Sequence, residues 1–251
     1  MNSQFDMLSA IYNDTKDSKY DFAVLPWGAT EPHNYHLPYM TDCYLAHDIS
    51  VDSVIKAYDQ TGVKGMVLPV IPLGSQNPGQ REQPFCLHTR YETQKAILTD
   101  IVASLSYQGI SKLIIVNGHG GNNFRNMIRD LAVDYPDFLV VISNLFAIIP
   151  QADYFEEKDD HAGEMETSVM MHYHPELVNL SLAGDGIYTP FKAETLRTGI
   201  GWTPRNWMKV SQDTGVGNPK KSSAEKGKAY AEALTQKIAK LFIELVKEDI
   251  Y

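Results

Sequence analysis

The stretch FAVLPWGATEPHNYHLPYMTDCYLAHDISVDSVIKAYDQTG, residues 22–62, holds one complete strand, loop and helix. Its opening run FAVL is short, apolar and β-prone, as a buried strand requires. A polar loop follows, then a helical pattern over residues 42–58 with Thr41 as the expected N-cap and a stop near Gly62. The alternation continues downstream. Residues 66–71, 113–116 and 138–142 read as strands, while 91–107, closed by Gly109, and 122–131 read as helices. Strands alternating with helices imply βαβ units. The expected fold is therefore α/β: a single-domain, three-layer α/β/α arrangement over residues 1–251 with a mainly parallel sheet. In such a sheet the functional loops lie at the carboxyl ends of the strands.

The chain has 251 residues, 43% of them hydrophobic, enough for one substantial core. A net charge of -9 argues against a nucleic-acid partner, which needs clustered Lys and Arg, and favours a small-molecule or peptide substrate. Cys43 and Cys86 are too few for a disulfide framework or a thiolate zinc site, so any metal must be held by His and carboxylates. The amino-terminal MNSQFDMLSAIYND lacks a leader's basic region and apolar run, and no stretch approaches the roughly 20 apolar residues that span a bilayer. A soluble, cytoplasmic protein with no membrane partner is expected.

Residues 184–219, containing Gly, Pro and Thr, read as loops or short strands. A last helix is expected from Ser222 towards Lys247, with Ser222 and Glu225 spaced as a capping box and Leu234, Ile238, Leu241, Phe242 and Leu245 on its apolar face. Gly227 should weaken its first turns by up to about 1 kcal/mol.

Three segments carry chemistry. WGATEPHNYHLPYMTD, after the first strand, packs Glu31, His33, His36 and Asp42 into one loop, ligand types suited to a divalent metal. NGHGGN, after the strand KLIIV, offers His119 on a turn whose glycines are expected to supply positive-φ freedom and close backbone approach. A phosphate cradle is the weaker reading there, because neither the dinucleotide spacing nor a P-loop Lys is present. DDHAGEMETSVMMHYHP brings His161 beside Asp159 and Asp160, with Glu164 and Glu166 in the first turns of a helix. The helix dipole explains one acid at that place but not the adjoining His161. His172 and His174 read as charge partners at the helix end, and His47 lies within a helix, so these three are left outside the site. A parallel sheet would gather the three clusters at one edge. Glu31, His33, Asp42, His119 and Glu166 exceed the ligand count of one catalytic zinc, so two metals are plausible, with Asp42 as the bridging carboxylate.

These residues resemble the creatininase family of amidohydrolases over most of the chain. EPHNYHLPYMTD is similar to the family's E-x-H-x-x-H-L-P-x-x-x-D segment, NGHGGN to its glycine-histidine turn, HAGEMETS to its H-x-G-x-x-E-T-S helix start, and TGVGNPKKSSAEKGK to its C-terminal signature. The resemblance implies metal ligation by Glu31, His33, Asp42 and His119, and a proton-donor role for His161. It also implies zinc, manganese or iron as metal and a homohexamer. Ser75 and Gln76 hold the position of a family substrate loop, and His88 is a candidate pocket residue. The chain departs from creatininase proper at His119-Gly120-Gly121, where that enzyme has His-Tyr-Glu and its Glu binds the second metal; Glu166 is the candidate replacement. Glu157 or a neighbour takes the place of a substrate-stacking Trp, and Phe85-Cys86-Leu87-His88 replaces a Phe-Pro-Gly-Thr segment.

The activity expected is hydrolysis of a cyclic or linear amide by metal-activated water, with Asp160 or a nearby carboxylate orienting His161. A formamide deformylase, a peptide-trimming hydrolase or a non-catalytic metal-binding protein are the alternatives.

Overall fold

The computed structural model describes residues 4–251; the first three residues of the stretch read for a leader lie outside them. Four strands, β1 (Phe22–Trp27), β2 (Gly65–Val67), β3 (Lys112–Asn117) and β4 (Leu139–Asn144), form one parallel sheet in the order β2-β1-β3-β4. Five longer helices accompany them: α1 (Thr41–Thr61), α2 (Tyr91–Tyr107), α3 (Arg125–Asp134), α4 (Glu164–Tyr173) and α5 (Ala224–Lys247).

Side-chain alternation along the strands fixes the layers. Phe22, Val24, Ile114 and Val116 face α1, α4 and α5, burying Ile49, Val54, Val169, Leu234 and Phe242 against them. Ala23, Leu25, Trp27, Leu113 and Ile115 face the other way, onto Leu98 and Val102 of α2 and Met127 and Leu131 of α3. The three-layer α/β/α expectation matches this arrangement. Among the described residues, no helix is long and apolar enough to cross a membrane.

Several boundaries differ from expectation, each for a local reason. β2 stops at Val67 instead of continuing to Ile71, because the main-chain bonding to β1 loses its register there. The pairing resumes only where Ile71 donates to Pro26 O, after Leu68 has donated to Val24 O, so the β2 side carries one extra residue. Thr41 does not cap α1: it is the first helical residue, and its hydroxyl donates to Pro38 O at 2.7 Å. Gly62 does end α1, at φ 75°. In the last helix the cap is Ser223, whose hydroxyl accepts from Lys226 N, not Ser222. Gly227 lies where α5 crosses α4. A Cβ there would stand 1.9 Å from Ser168 O, so close packing of two helices requires this glycine.

The order of the strands places the functional loops. From β1 the chain crosses to β2 on one side, whereas β3 and β4 lie on the other, so β1 and β3 flank a topological switch point. Trp27 is in register with Asn117, and the loops that leave these two residues emerge side by side.

Candidate metal centre

Six side chains converge at that switch point. Glu31 and His33 come from the loop after β1, Asp42 from the first turn of α1, His119 from the loop after β3, and His161 and Glu166 from the segment that enters α4. All are buried. Three sets, Glu31–His33–His161, Glu31–Asp42–His119 and His33–Asp42–Glu166, each present ligand atoms within 4.8 Å of one another.

The imidazoles share one pattern. His33 Nδ1 donates to Glu31 O at 3.0 Å, His119 Nε2 to Ser75 O at 2.9 Å, and His161 Nε2 to Pro32 O at 2.9 Å. Each main-chain carbonyl fixes one ring nitrogen as the N–H and turns the other inward. His33 Nε2 thus lies 2.9 Å from Asp42 Oδ1, His119 Nδ1 lies 2.8 Å from Glu31 Oε1, and His161 Nδ1 lies 3.9 Å from the same oxygen. Backbone acceptors that orient imidazoles toward a cluster of carboxylates are the usual outer support of metal ligands. Asp42 Oδ2 is buried without a hydrogen bond of good geometry, although His119 Nδ1 is 3.1 Å away, so it has capacity for a cation.

Electrostatics agree with the geometry. Burial alone would lower the His33 pKa, but Asp42, Glu166 and Glu31 push it up to about 10. His119 is likewise raised well above its ordinary value by Glu31 and Asp42 against the cost of burial. Glu166, desolvated and facing Asp42 and Asp159, is pushed up to about 8 despite His33. Without a metal, protons must offset the carboxylate charge; a divalent cation can take their place. The donor set of imidazole and carboxylate fits such an ion.

The turn after β3 works differently from its expected reading. Gly118, Gly120 and Gly121 do not have positive φ. Gly118 and Gly121 instead permit close approach: an added Cβ would lie 2.6 Å from Asp42 O and 2.1 Å from Ser75 O, respectively. The Gly121 site protects the carbonyl that orients His119. Positive φ appears at Ala162 (φ 53°), directly after His161, in a segment pinned by mutual main-chain bonds between His161 and Val216.

Other expected residues have distinct places. Asp160 makes no hydrogen bond to His161; its carboxylate is 2.6 Å from Arg205 Nη2, and Pro32 O is the group that holds the imidazole. His36 turns away to Thr167. His47 and His174 both pair with Asp48, apart from the six converging side chains. Ser75, Gln76 and His88 line a cleft of about 1160 Å³ that reaches Glu31, His119 and His161. The Ser75 hydroxyl is occupied by Thr89 and Gln94, whereas Gln76 Oε1 is buried without a partner. His88 Nδ1 accepts from the Gln76 N–H.

Sequence reading missed Gln80, Asn122 and Trp207. Gln80, buried in the loop after β2, donates to Glu31 Oε2 and accepts from Asn77 N. Asn122 ties Ser75, Gly28 and Asn117 together. Trp207 stands edge-on to His161, centroids 5.3 Å apart; Glu157 instead pairs with Lys221. Only Asn122, within NGHGGN, belonged to a motif.

Comparison with known proteins decides the family. The model of the Creatininase family (creatinine amidohydrolase) matches residues 8–242. The chain belongs to the creatininase family. A crystal structure of a "Putative creatinine amidohydrolase" from Bacteroides fragilis NCTC 9343 is 56% identical to this creatininase-family chain, with full coverage of both chains and a TM-score of 0.99. Creatinine amidohydrolase of Pseudomonas putida is 24% identical over 86% of each chain. A mycofactocin precursor peptide peptidase of Mycobacterium ulcerans (strain Agy99) is 27% identical over 64% of this chain and 62% of its own.

Proposed function

We propose that this creatininase-family protein is a metal-dependent amidohydrolase in which Glu31, His33, Asp42, His119 and Glu166 would hold two divalent ions, with Asp42 as a carboxylate that two of the ligand sets share. The observation that carries the reading is the set of three carbonyl-oriented imidazoles facing three buried carboxylates. Zinc, manganese or iron suits such donors. Such an ion supplies Lewis acidity to an amide carbonyl and lowers the pKa of nearby water.

The chain's own groups account for proton movement. Burial and His33 keep the His161 pKa below its ordinary value, so its inward Nδ1 is an unprotonated acceptor near neutral pH while Nε2 remains bound to Pro32. As water adds to the amide carbon, Nδ1 takes its proton; as the C–N bond breaks, Nδ1 delivers that proton to the leaving nitrogen. Gln76 Oε1 is free to accept from a substrate N–H, and the His88 ring beside it lines the same wall. Asp160 serves this site through Arg205.

A cleft of about 1160 Å³ is roomy for a small cyclic amide, and together with the peptidase relative it favours a linear amide, formamide or short peptide as substrate over creatinine. A single domain, a homohexamer and a cytoplasmic location complete the reading. The test is His161→Ala. It should retain bound metal by elemental analysis and lose about 10²- to 10⁴-fold in kcat on an amide panel. Full activity with metal retained would remove the proton-transfer role, and loss of metal would make His161 a ligand.

A further inference from the structure

Half of the chain's six arginines, Arg81, Arg125 and Arg205, line the cleft that reaches Glu31, His119 and His161, and none of its lysines does. The only carboxylates in that lining are Glu31, which belongs to the metal cluster, and Asp160, which Arg205 already engages. Arg205 is further fixed by stacking over Trp207, with its guanidinium carbon 4.8 Å from the ring centroid. Arg81 and Arg125 have no acidic partner among the described residues, and neither side chain donates a hydrogen bond to the protein.

This local excess of positive charge runs against a net charge of -9. Long-range attraction cannot bring an anion to such a protein, but at physiological salt fields are screened within about 8 Å, so the cleft's own groups dominate there. Guanidinium is the cation best matched to a planar or tetrahedral oxyanion, since it offers paired donors in a fixed fork. The rest of the wall, with Gln76, Asn77, Asn123, Asn144 and Thr203, supplies hydrogen-bonding groups without added negative charge.

We propose that the substrate is an amide bearing an oxyanion, carboxylate or phosphate, remote from the scissile bond, and that Arg81 and Arg125 capture this group. The proposal rests on the amidohydrolase reading for its scissile bond but not for its anion preference. At about 1160 Å³ the cleft has room for a ligand of dipeptide size, and its lining includes both Glu31 and His119 of the metal cluster and the two arginines.

Calorimetry on the metal-loaded full chain tests it with two matched pairs: N-acetylglycylglycine against its carboxamide, and N-acetylethanolamine phosphate against N-acetylethanolamine. At least one anion should bind about tenfold tighter than its neutral partner, and which pair responds identifies carboxylate or phosphate. R81Q/R125Q should bring that ratio close to one, whereas R129Q, on α3 away from the cleft, should leave it intact. Equal binding within both pairs, or a preference unchanged in R81Q/R125Q, would overturn the proposal. Anion preference without hydrolysis of any amide would instead sink the amidohydrolase reading and leave only the capture of an oxyanion by Arg81 and Arg125 standing.

Discussion

Nδ1 of His119 stands 2.8 Å from Oε1 of Glu31, joining two buried side chains carried by loops from neighbouring strands. With His33 Nε2 similarly placed against Asp42, the cluster holds protons where a metal would sit.

Metal uptake should therefore release protons. Carboxylates raise His33 to about 10 and His119 well above its ordinary value, so each protonated ring must lose a proton to bind an ion through its inward nitrogen. Titrating zinc or manganese into chelator-treated protein in weak buffer with a pH indicator should register proton release, up to about three per subunit when Glu166 is protonated as well. Apparent affinity should rise with pH, and His119→Ala or Asp42→Ala should abolish both signals. Uptake without proton release contradicts this assignment.

The metal-free protein should lose stability as pH rises. Glu166 titrates near about 4 when unfolded but at about 8 when folded, so its ionisation favours the unfolded chain across that interval. His33, raised to about 10, stabilises the fold fully below about 6.5 and loses that contribution as pH climbs to about 10. Thermal melts in chelator at about pH 5, 7 and 9 should give falling midpoints, and metal-loaded protein should resist the fall. A midpoint that increases with pH in chelator is incompatible with these shifts.

Gln80→Leu should weaken metal binding without unfolding the protein. Gln80 donates to Glu31 Oε2 and so holds the other oxygen toward His119 and His161. Loss of such support costs on the order of 10- to 100-fold in metal affinity. Competition with a chromophoric chelator measures it; an unchanged affinity removes Gln80 from the centre.

Gly227→Ala should destabilise despite its better helix propensity. The propensity gain is about 1 kcal/mol, whereas a methyl forced against Ser168 O on α4 costs about 1–3 kcal/mol or more. Urea unfolding should show a net loss, and a net gain would mean the two helices can separate at no cost.

How far the sequence could be read follows from the range of each interaction. Strand–loop–helix alternation and the clusters around Glu31, His119 and His161 are local patterns, and the parallel sheet brought all three together. Ser222 was misassigned because neighbouring hydroxyls compete for one cap and only the chain path decides between Ser222 and Ser223, whereas Thr41 lies one residue inside its helix, where its hydroxyl donates to Pro38 O. Gln80, Trp207 and the Asp160–Arg205 pair depend on contacts between distant segments, which no spacing announces. The role of the glycines after β3 was half legible: close approach was, the dihedral angle was not.

The carbonyls of Glu31, Pro32 and Ser75 that steer the three imidazoles belong to the main chain, so replacing a side chain cannot delete them. Mutational drift at Ser75 can exchange its hydroxyl while the steering of His119 survives. A single methyl at Gly121, by contrast, would collide with that same carbonyl. The residues most intolerant of change around this centre are thus the ones with the least chemistry to offer, and a scan that replaces only functional side chains would pass over them.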